Sequence, residues 1–191
     1  MSQVSNFRPQ DLEELMAVAK TAKPVVNQIE YHPYVLSHLD KVMELHNKVR
    51  SHIHALPLSA ALLTRRLIAF RLVASQHNIL TAAYGPLSPL LRHKTGGPLK
   101  PILERIAVRL SKETGRDVDA AAVLLLWTRA KGVIAVTASG NAGRIQKLAD
   151  SQQLPELDID EVEEIERVGR TIYFRAYVSR SCSAWSCVRL L

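Results

Sequence analysis

The segment Val25–Tyr34, VVNQIEYHPY, constrains the fold more than any other stretch of the chain. Val25 and Val26 are β-branched and open a strand. From Asn27 onward polar residues enter. Alternation along a strand puts Gln28, Glu30 and His32 on one face and Asn27, Ile29 and Tyr31 on the other. A strand that is polar on one face near its carboxyl end is a poor core strand. It suits the mouth of an α/β barrel or sheet, where strand ends present polar groups to a ligand. Pro33 cannot donate to a ladder and closes the strand. A second reading stands beside this one: the amide and the histidine satisfy local backbone groups, as most buried polar side chains do.

The surrounding pattern alternates. Ser2 and Gln3 lead into VSNF (Val4–Phe7), which reads as the end of a strand. Asn6 is placed to cap the next helix, with Pro9 in its first turn. Leu12, Leu15, Met16 and Ala19 give that helix a 3.6-residue period, and Lys23-Pro24 ends it. Leu36–Lys48 predicts a helix with Leu39, Val42, Met43 and His46 on one side. Ile79–Tyr84 predicts a short strand, Gly85–Pro89 an irregular turn and Leu90–Leu99 a loop. Pro101–Glu113 predicts a helix with a stripe of Ile102, Ile106 and Leu110. Asp117 is placed to cap the nearly all-apolar helix Val118–Ala130. Val133–Thr137 reads as a buried strand. Asn141 is placed to cap a helix with Ile145, Leu148 and Ala149 inside, and Asp160–Val168 predicts a last, acidic-fronted helix. Strands alternating with helices indicate parallel βαβ units.

Four stretches in order, VSNF, VNQIEYHPY, AYGPL (Ala83–Leu87) and VTASGNAGRI (Val136–Ile145), resemble the aldo-keto reductases. The resemblance implies a (β/α)8 barrel that reduces aldehydes and ketones with NADPH. A whole barrel of this kind takes about 250 residues, and this chain has 191. By the resemblance its complete strands are the sixth, seventh and eighth. The expected fold is therefore α/β, a partial TIM (β/α)8 barrel of about strands six to eight with their helices, covering residues 1–177.

The family's proton-donating Tyr, its activating Lys and Asp, and its orienting His all precede VSNF, so no catalytic residue is assigned. Tyr31 and His32 are adjacent on a strand and face opposite ways, which keeps them from converging on one carbonyl. The resemblance carries over cofactor contacts instead. Ser5, Asn6 and Gln28 match residues that hydrogen-bond the nicotinamide carboxamide, which needs donor and acceptor together. Tyr84 matches the aromatic ring stacked on the nicotinamide, and Leu87 a residue beside the pyrophosphate. Ser139 and Arg144 match the pair that receives the ribose 2′-phosphate, where a charge-assisted guanidinium contact favours NADP over NAD. Ala138, Lys147 and Leu148 depart from the family pattern, which bears on affinity and on strictness for NADP. The implied partner is a small carbonyl substrate of the parent enzyme. Alternative readings are a non-catalytic truncated module binding NADP or a partner, and a membrane-surface protein.

The last alternative rests on Val49–Gln76, which interrupts the pattern. Joining Lys48 to His77 gives HNKHNILTAAYGPL, which looks like an uninterrupted family passage. The segment begins with Val and ends with Gln, whose codons accommodate the usual first and last bases of an intron. It reads as a retained intron, a non-native insert. An inserted helix in a tolerant loop and a membrane-surface helix are the alternatives; Leu56–Ala74 is apolar but carries three Arg, so it should not span a bilayer. The net charge of +7 invites a nucleic-acid reading. Four of those charges sit in Val49–Gln76 and two in the tail Val178–Leu191, neither of which contains an acid. The remainder is near neutral, which argues against nucleic acid. Cys182 and Cys187 both lie in that tail, which resembles nothing in the family; their spacing makes no zinc site, and no metal is expected. The N-terminus lacks an apolar leader core, so a cytoplasmic protein is expected.

If Val49–Gln76 is intronic, transcripts should join the codons of Lys48 and His77 directly. Tryptic peptides running through Ile53–Arg65 in the main cellular product would refute this.

Overall fold

The computed structural model describes residues 2–47 and 79–177. The segment read as an intron, an inserted helix or a membrane-surface helix and the tail both lie outside the described residues. Four strands, β1 (Ser2–Ser5), β2 (Pro24–Glu30), β3 (Leu80–Tyr84) and β4 (Ile134–Val136), form one parallel sheet in chain order. The helices are α1 (Pro9–Val18), α2 (Leu36–Asn47), α3 (Ser88–Leu91), α4 (Lys100–Thr114), α5 (Ala120–Ala130), α6 (Ala142–Asp150) and α7 (Ile159–Gly169). Parallel neighbours need crossover connections, and the chain supplies helices between successive strands.

The register decides which residues share a face. Ser5, Gln28, Ala82 and Ile134 lie side by side, and Glu30, Tyr84 and Val136 form the next row. The opposite face carries Val4, Asn27, Ile29, Thr81, Ala83 and Ala135. Ile29 and Ala83 join that second face to a core with residues of α2, α4, α5 and α7. Leu103, Ile106 and Leu110 of α4, Leu124 of α5 and Ile165 of α7 are buried there. Each such side chain contributes about 1.5–3 kcal/mol by leaving water. Tyr31 stacks on Trp127 with ring centroids 5.4 Å apart and planes at 17°. The Tyr34 hydroxyl, fully buried, donates to the Gly96 carbonyl at 2.7 Å and accepts from the Leu99 amide at 3.2 Å. That pair fastens the turn after β2 to the long β3–α4 connection.

Several sequence expectations are corrected. Asn6 does not cap α1; Arg8 does, with Asp11 accepting both its amide (2.8 Å) and its guanidinium (2.9 Å). Asn6 stands too early in the chain and has left-handed backbone, with φ at 60°. Asp119, not Asp117, caps α5, accepting from the Ala122 amide at 2.9 Å. Asp117 instead meets Lys147 at 2.5 Å. The connection after Tyr84 is not all loop, because Pro89 starts the single-turn helix α3. The fourth strand is not buried: Ile134 is 49% exposed and Val136 42%. It is an outer strand of the sheet, and only Val133 before it is buried. Asn141 does cap α6, accepting from the Arg144 amide at 2.9 Å. Ile145 and Ala149 nevertheless face solvent, because α6 reaches the core cluster through Leu148.

Gly169 closes α7 against the turn after β2. A Cβ there would stand 2.5 Å from the Pro33 Cβ and 2.7 Å from its carbonyl oxygen. Backbone cannot yield as a flexible side-chain tip does. Gly169→Ala should therefore lower stability by about 1–3 kcal/mol, read as a lowered midpoint in a denaturant melt. A melt superimposable on wild type would show that α7 does not press on Pro33.

Candidate functional site

The carboxyl ends of β1, β2 and β3 bring four of the expected residues together. Ser5 is level with Gln28 in the register, and its hydroxyl donates to the Gln28 carbonyl at 3.1 Å. The Asn6 amide donates to the same carbonyl at 2.9 Å. At Asn6 the backbone turns out of the sheet in the left-handed region, which Asn tolerates better than most residues. Its side-chain amide donates to Ser5 Oγ at 3.1 Å, and its carbonyl accepts from the Tyr84 hydroxyl at 2.8 Å. Asn27 supports this turn from below, pairing like a peptide group: Nδ2 donates to the Phe7 carbonyl at 3.1 Å and Oδ1 accepts from the Phe7 amide at 3.4 Å. The reading that the amide and the histidine satisfy local backbone groups holds for an amide, Asn27, but not for His32, which pairs with the Glu30 carboxylate. The cluster presents a hydroxyl, two carboxamides and a phenol ring on the less covered face of the sheet. Such a set can hydrogen-bond a ligand amide and lie against a flat ring.

The node of this end is Glu30, a residue to which the sequence assigned no role. Its side chain is 2% exposed. It accepts from His32 Nε2 at 3.2 Å, from Arg175 Nε at 3.2 Å, from the Ala176 amide at 2.7 Å and from the Tyr177 amide at 3.3 Å. Tyr177 stands edge-to-face against Tyr84, with centroids 5.5 Å apart and planes at 82°. Arg175 and Tyr177 were missed because they follow α7 in a stretch without periodicity. The available signal was Glu30 itself, an acid on a β-strand beside Gln28 and His32. His32 and Tyr31 are buried, and burial pushes the Tyr31 phenol above the ordinary tyrosine range. Neither side chain is presented to solvent.

The remaining expected residues lie after β3 and β4. Leu87 is buried and precedes α3, two residues beyond Gly85, whose positive φ of 62° makes the turn. Ser139 is half-buried and its hydroxyl oxygen accepts from the Asn141 amide at 3.2 Å. Arg144, exposed, occupies the first turn of α6. Ser139 and Arg144 thus form a second group joined through Asn141, on the carboxyl side of β4. Among the described residues no cluster of three or more His, Cys, Asp or Glu could hold a metal ion, and no helix is long and apolar enough to cross a membrane.

Comparisons with known proteins bear on the fold and the family. The NAD/NADP-dependent indole-3-acetaldehyde reductase of Schizosaccharomyces pombe is 32% identical over 161 residues, 83% of this chain and 44% of that protein. The NADPH-dependent alpha-keto amide reductase of Saccharomyces cerevisiae is 27% identical over 168 residues, 87% of this chain and 43% of that protein. A solved aldo-keto reductase complexed with NADPH shares the fold with a TM-score of 0.60 at 18% identity, over 92% of this chain and 43% of that one. No protein-family model matches the sequence. The chain belongs to the aldo-keto reductase family. It spans less than half the length of these relatives.

Burial pushes the Glu30 carboxyl up, but hydrogen bonds from His32 and from the Ala176 and Tyr177 amides outweigh it and hold the group below the ordinary glutamate range. A carboxylate depressed in the folded state adds stability that is fully present above its unfolded value of about 4.3 and lost as pH falls through the folded value. The melting temperature should therefore drop on acidification below about pH 4.3. Glu30→Gln should lower it at neutral pH and flatten part of that acid limb. Parallel pH profiles for the two proteins would show that Glu30 is not held as a carboxylate by the fold.

Proposed function

We propose that this chain supplies the carboxyl-terminal portion, about strands six to eight, of an aldo-keto reductase barrel, and that residues 1–177 hold NADPH in an enzyme reducing small aldehydes and ketones to alcohols. The observation that carries the reading is the hydrogen-bonded cluster of Ser5, Asn6, Gln28 and Tyr84 at the strand ends. Its donor set fits a nicotinamide: Ser5 and Asn6 pair with each other and with backbone at an exposed position, where a carboxamide can exchange for those bonds. Support comes also from the relatives, whose names record NAD, NADP or NADPH as cofactor.

Bound NADPH supplies a hydride to the carbonyl carbon. This chain's own residues bind and orient. Ser5, Asn6 and Gln28 fix the carboxamide, and so fix which face of the ring meets the substrate. Tyr84 lies under the ring, with its hydroxyl tethered to Asn6 so that ring and amide site move together. Leu87 borders the pyrophosphate. Ser139 and Arg144 take the 2′-phosphate; Arg144, in the first turn of an Asn141-capped helix, has its guanidinium in solvent and no competing ion pair among the described residues. Lys147, by contrast, is engaged by Asp117. No residue of this chain is assigned the proton transfer.

The test is a fluorescence titration of NADPH and NADH, with the full chain and with a chimera in which it replaces the matching segment of the S. pombe reductase. Arg144→Ala should weaken NADPH by at least about tenfold, the worth of a charge-assisted hydrogen bond, and leave NADH within about twofold. Equal losses for both cofactors would place the 2′-phosphate elsewhere. No NADPH binding by either protein would sink the reading.

A further inference from the structure

The segment after α7 crosses the carboxyl ends of β2 and β3 without helix or strand of its own. It is fastened at one end by Phe174, whose amide donates to the Tyr34 carbonyl at 3.1 Å and whose ring packs against His93 at 5.2 Å. The other end is fastened by Glu30, through the amides of Ala176 and Tyr177 and through Arg175 Nε. The fastening holds the Tyr177 ring edge-to-face against Tyr84, and Arg175 completes it on the Glu30 carboxylate. The Arg92 guanidinium lies 5.7 Å from the centre of the Tyr177 ring. Gly85 leaves room for this approach: a Cβ there would stand 2.9 Å from the Tyr177 ring. Tyr84 in turn donates to Asn6, which has left-handed backbone and holds Ser5. A continuous chain of contacts therefore runs Glu30, Tyr177, Tyr84, Asn6, Ser5 across three strand ends.

A buried carboxylate is costly, and an apolar side chain of similar size is often as stable or more so. Glu30 does something an apolar residue cannot: one carboxylate takes two successive backbone amides and a guanidinium, fixing both the position and the orientation of the crossing segment. We propose that Glu30 and Arg175 are positioning residues for the site of the cofactor ring, acting through Tyr84 and Asn6 rather than by touching the cofactor. This rests on the NADPH reading above. It separates two parts of one ligand. The nicotinamide end depends on the Glu30–Tyr177–Tyr84 chain, which Arg175 braces at Glu30; the adenosine 2′-phosphate end, at Ser139 and Arg144, does not.

The experiment compares binding of NADPH and of 2′,5′-ADP, which carries the adenosine and the 2′-phosphate without a nicotinamide. The full chain is used as wild type, Glu30→Gln and Arg175→Gln. At position 30 the amide keeps an acceptor for the Ala176 N–H but turns a donor toward Arg175. Arg175 is partly exposed, so its variant tests the link without opening a buried site. Both variants should weaken NADPH about tenfold, the loss expected for a hydrogen bond to a charged group, and leave 2′,5′-ADP within about twofold. Equal losses on both ligands would make the two residues merely structural, and no loss on either would remove them from the site; either result overturns this proposal alone. Wild type binding neither ligand overturns this proposal, and the NADPH reading falls with it if the chimera also binds no NADPH.

Discussion

The Glu30 carboxylate is where the strand pattern, the packing and the candidate site meet. Strand alternation puts it on the same face as Gln28 and Tyr84 and one register row beyond Ser5. Burial alone would favour its neutral form; four donors, two of them from an irregular stretch of backbone, favour the anion. The exchange works in both directions. The carboxylate needs those donors to stay charged in a nearly dry position, and Ala176 and Tyr177 need the carboxylate because they have no ladder or helix to satisfy their amides. Surface ion pairs elsewhere, such as Arg170 with Asp40 at 2.8 Å, join distant parts of the chain but remain in water, where each pair contributes little.

The sequence was most legible where one period ruled. The pattern of β2 and its change to polar residues at Asn27 were visible, as were the apolar stripe of α4 and the cap of α6 at Asn141. Legibility failed where several residues of the right type stood close together. At the start of α1 Asn6 and Asp11 are both of capping type, and Asn6, in left-handed backbone, leaves the cap position to Arg8, whose amide Asp11 accepts. Asp117 and Asp119 competed in the same way for α5, and the one in extended backbone three residues before Ala122 won. The β4 residues Ile134 and Val136 read as buried because their type and run length say strand; nothing local says that the strand lies at the edge of the described sheet. Of the candidate site, Ser5, Asn6, Gln28 and Tyr84 came from motif resemblance, and the contacts among them span β1, β2 and β3. Arg175 was invisible because its role depends on a partner 145 positions away.

The two faces of the sheet are unequal, and this inequality leaves room for a site. Asn27, Ile29, Thr81 and Ala83 are all buried on the face that meets the helical core. On the other face Ser5, Ile134 and Val136 are exposed and Gln28 and Tyr84 are half-buried. Parallel sheets ordinarily have both faces covered, so the second face is not an ordinary solvent surface. Its rows change character along the strands: apolar Val26 and Leu80 come first, then Gln28 with Ala82, then Glu30 with Tyr84 at the carboxyl end. Gln3, beside Val26 in the first row, is exposed, while the buried or half-buried polar side chains Gln28, Glu30 and Tyr84 gather toward the carboxyl end. That gradient sets the hydrogen-bonding groups of the site beside apolar neighbours at the end where Ser5, Asn6 and Tyr84 meet. A ligand that is flat and apolar over its ring and amide-bearing at its rim matches both halves of the gradient, as the proposed nicotinamide does. The crossing segment from Phe174 to Tyr177 closes the β2 and β3 side of the same end, so the contacts that fix Glu30 also set the wall of the space above Tyr84.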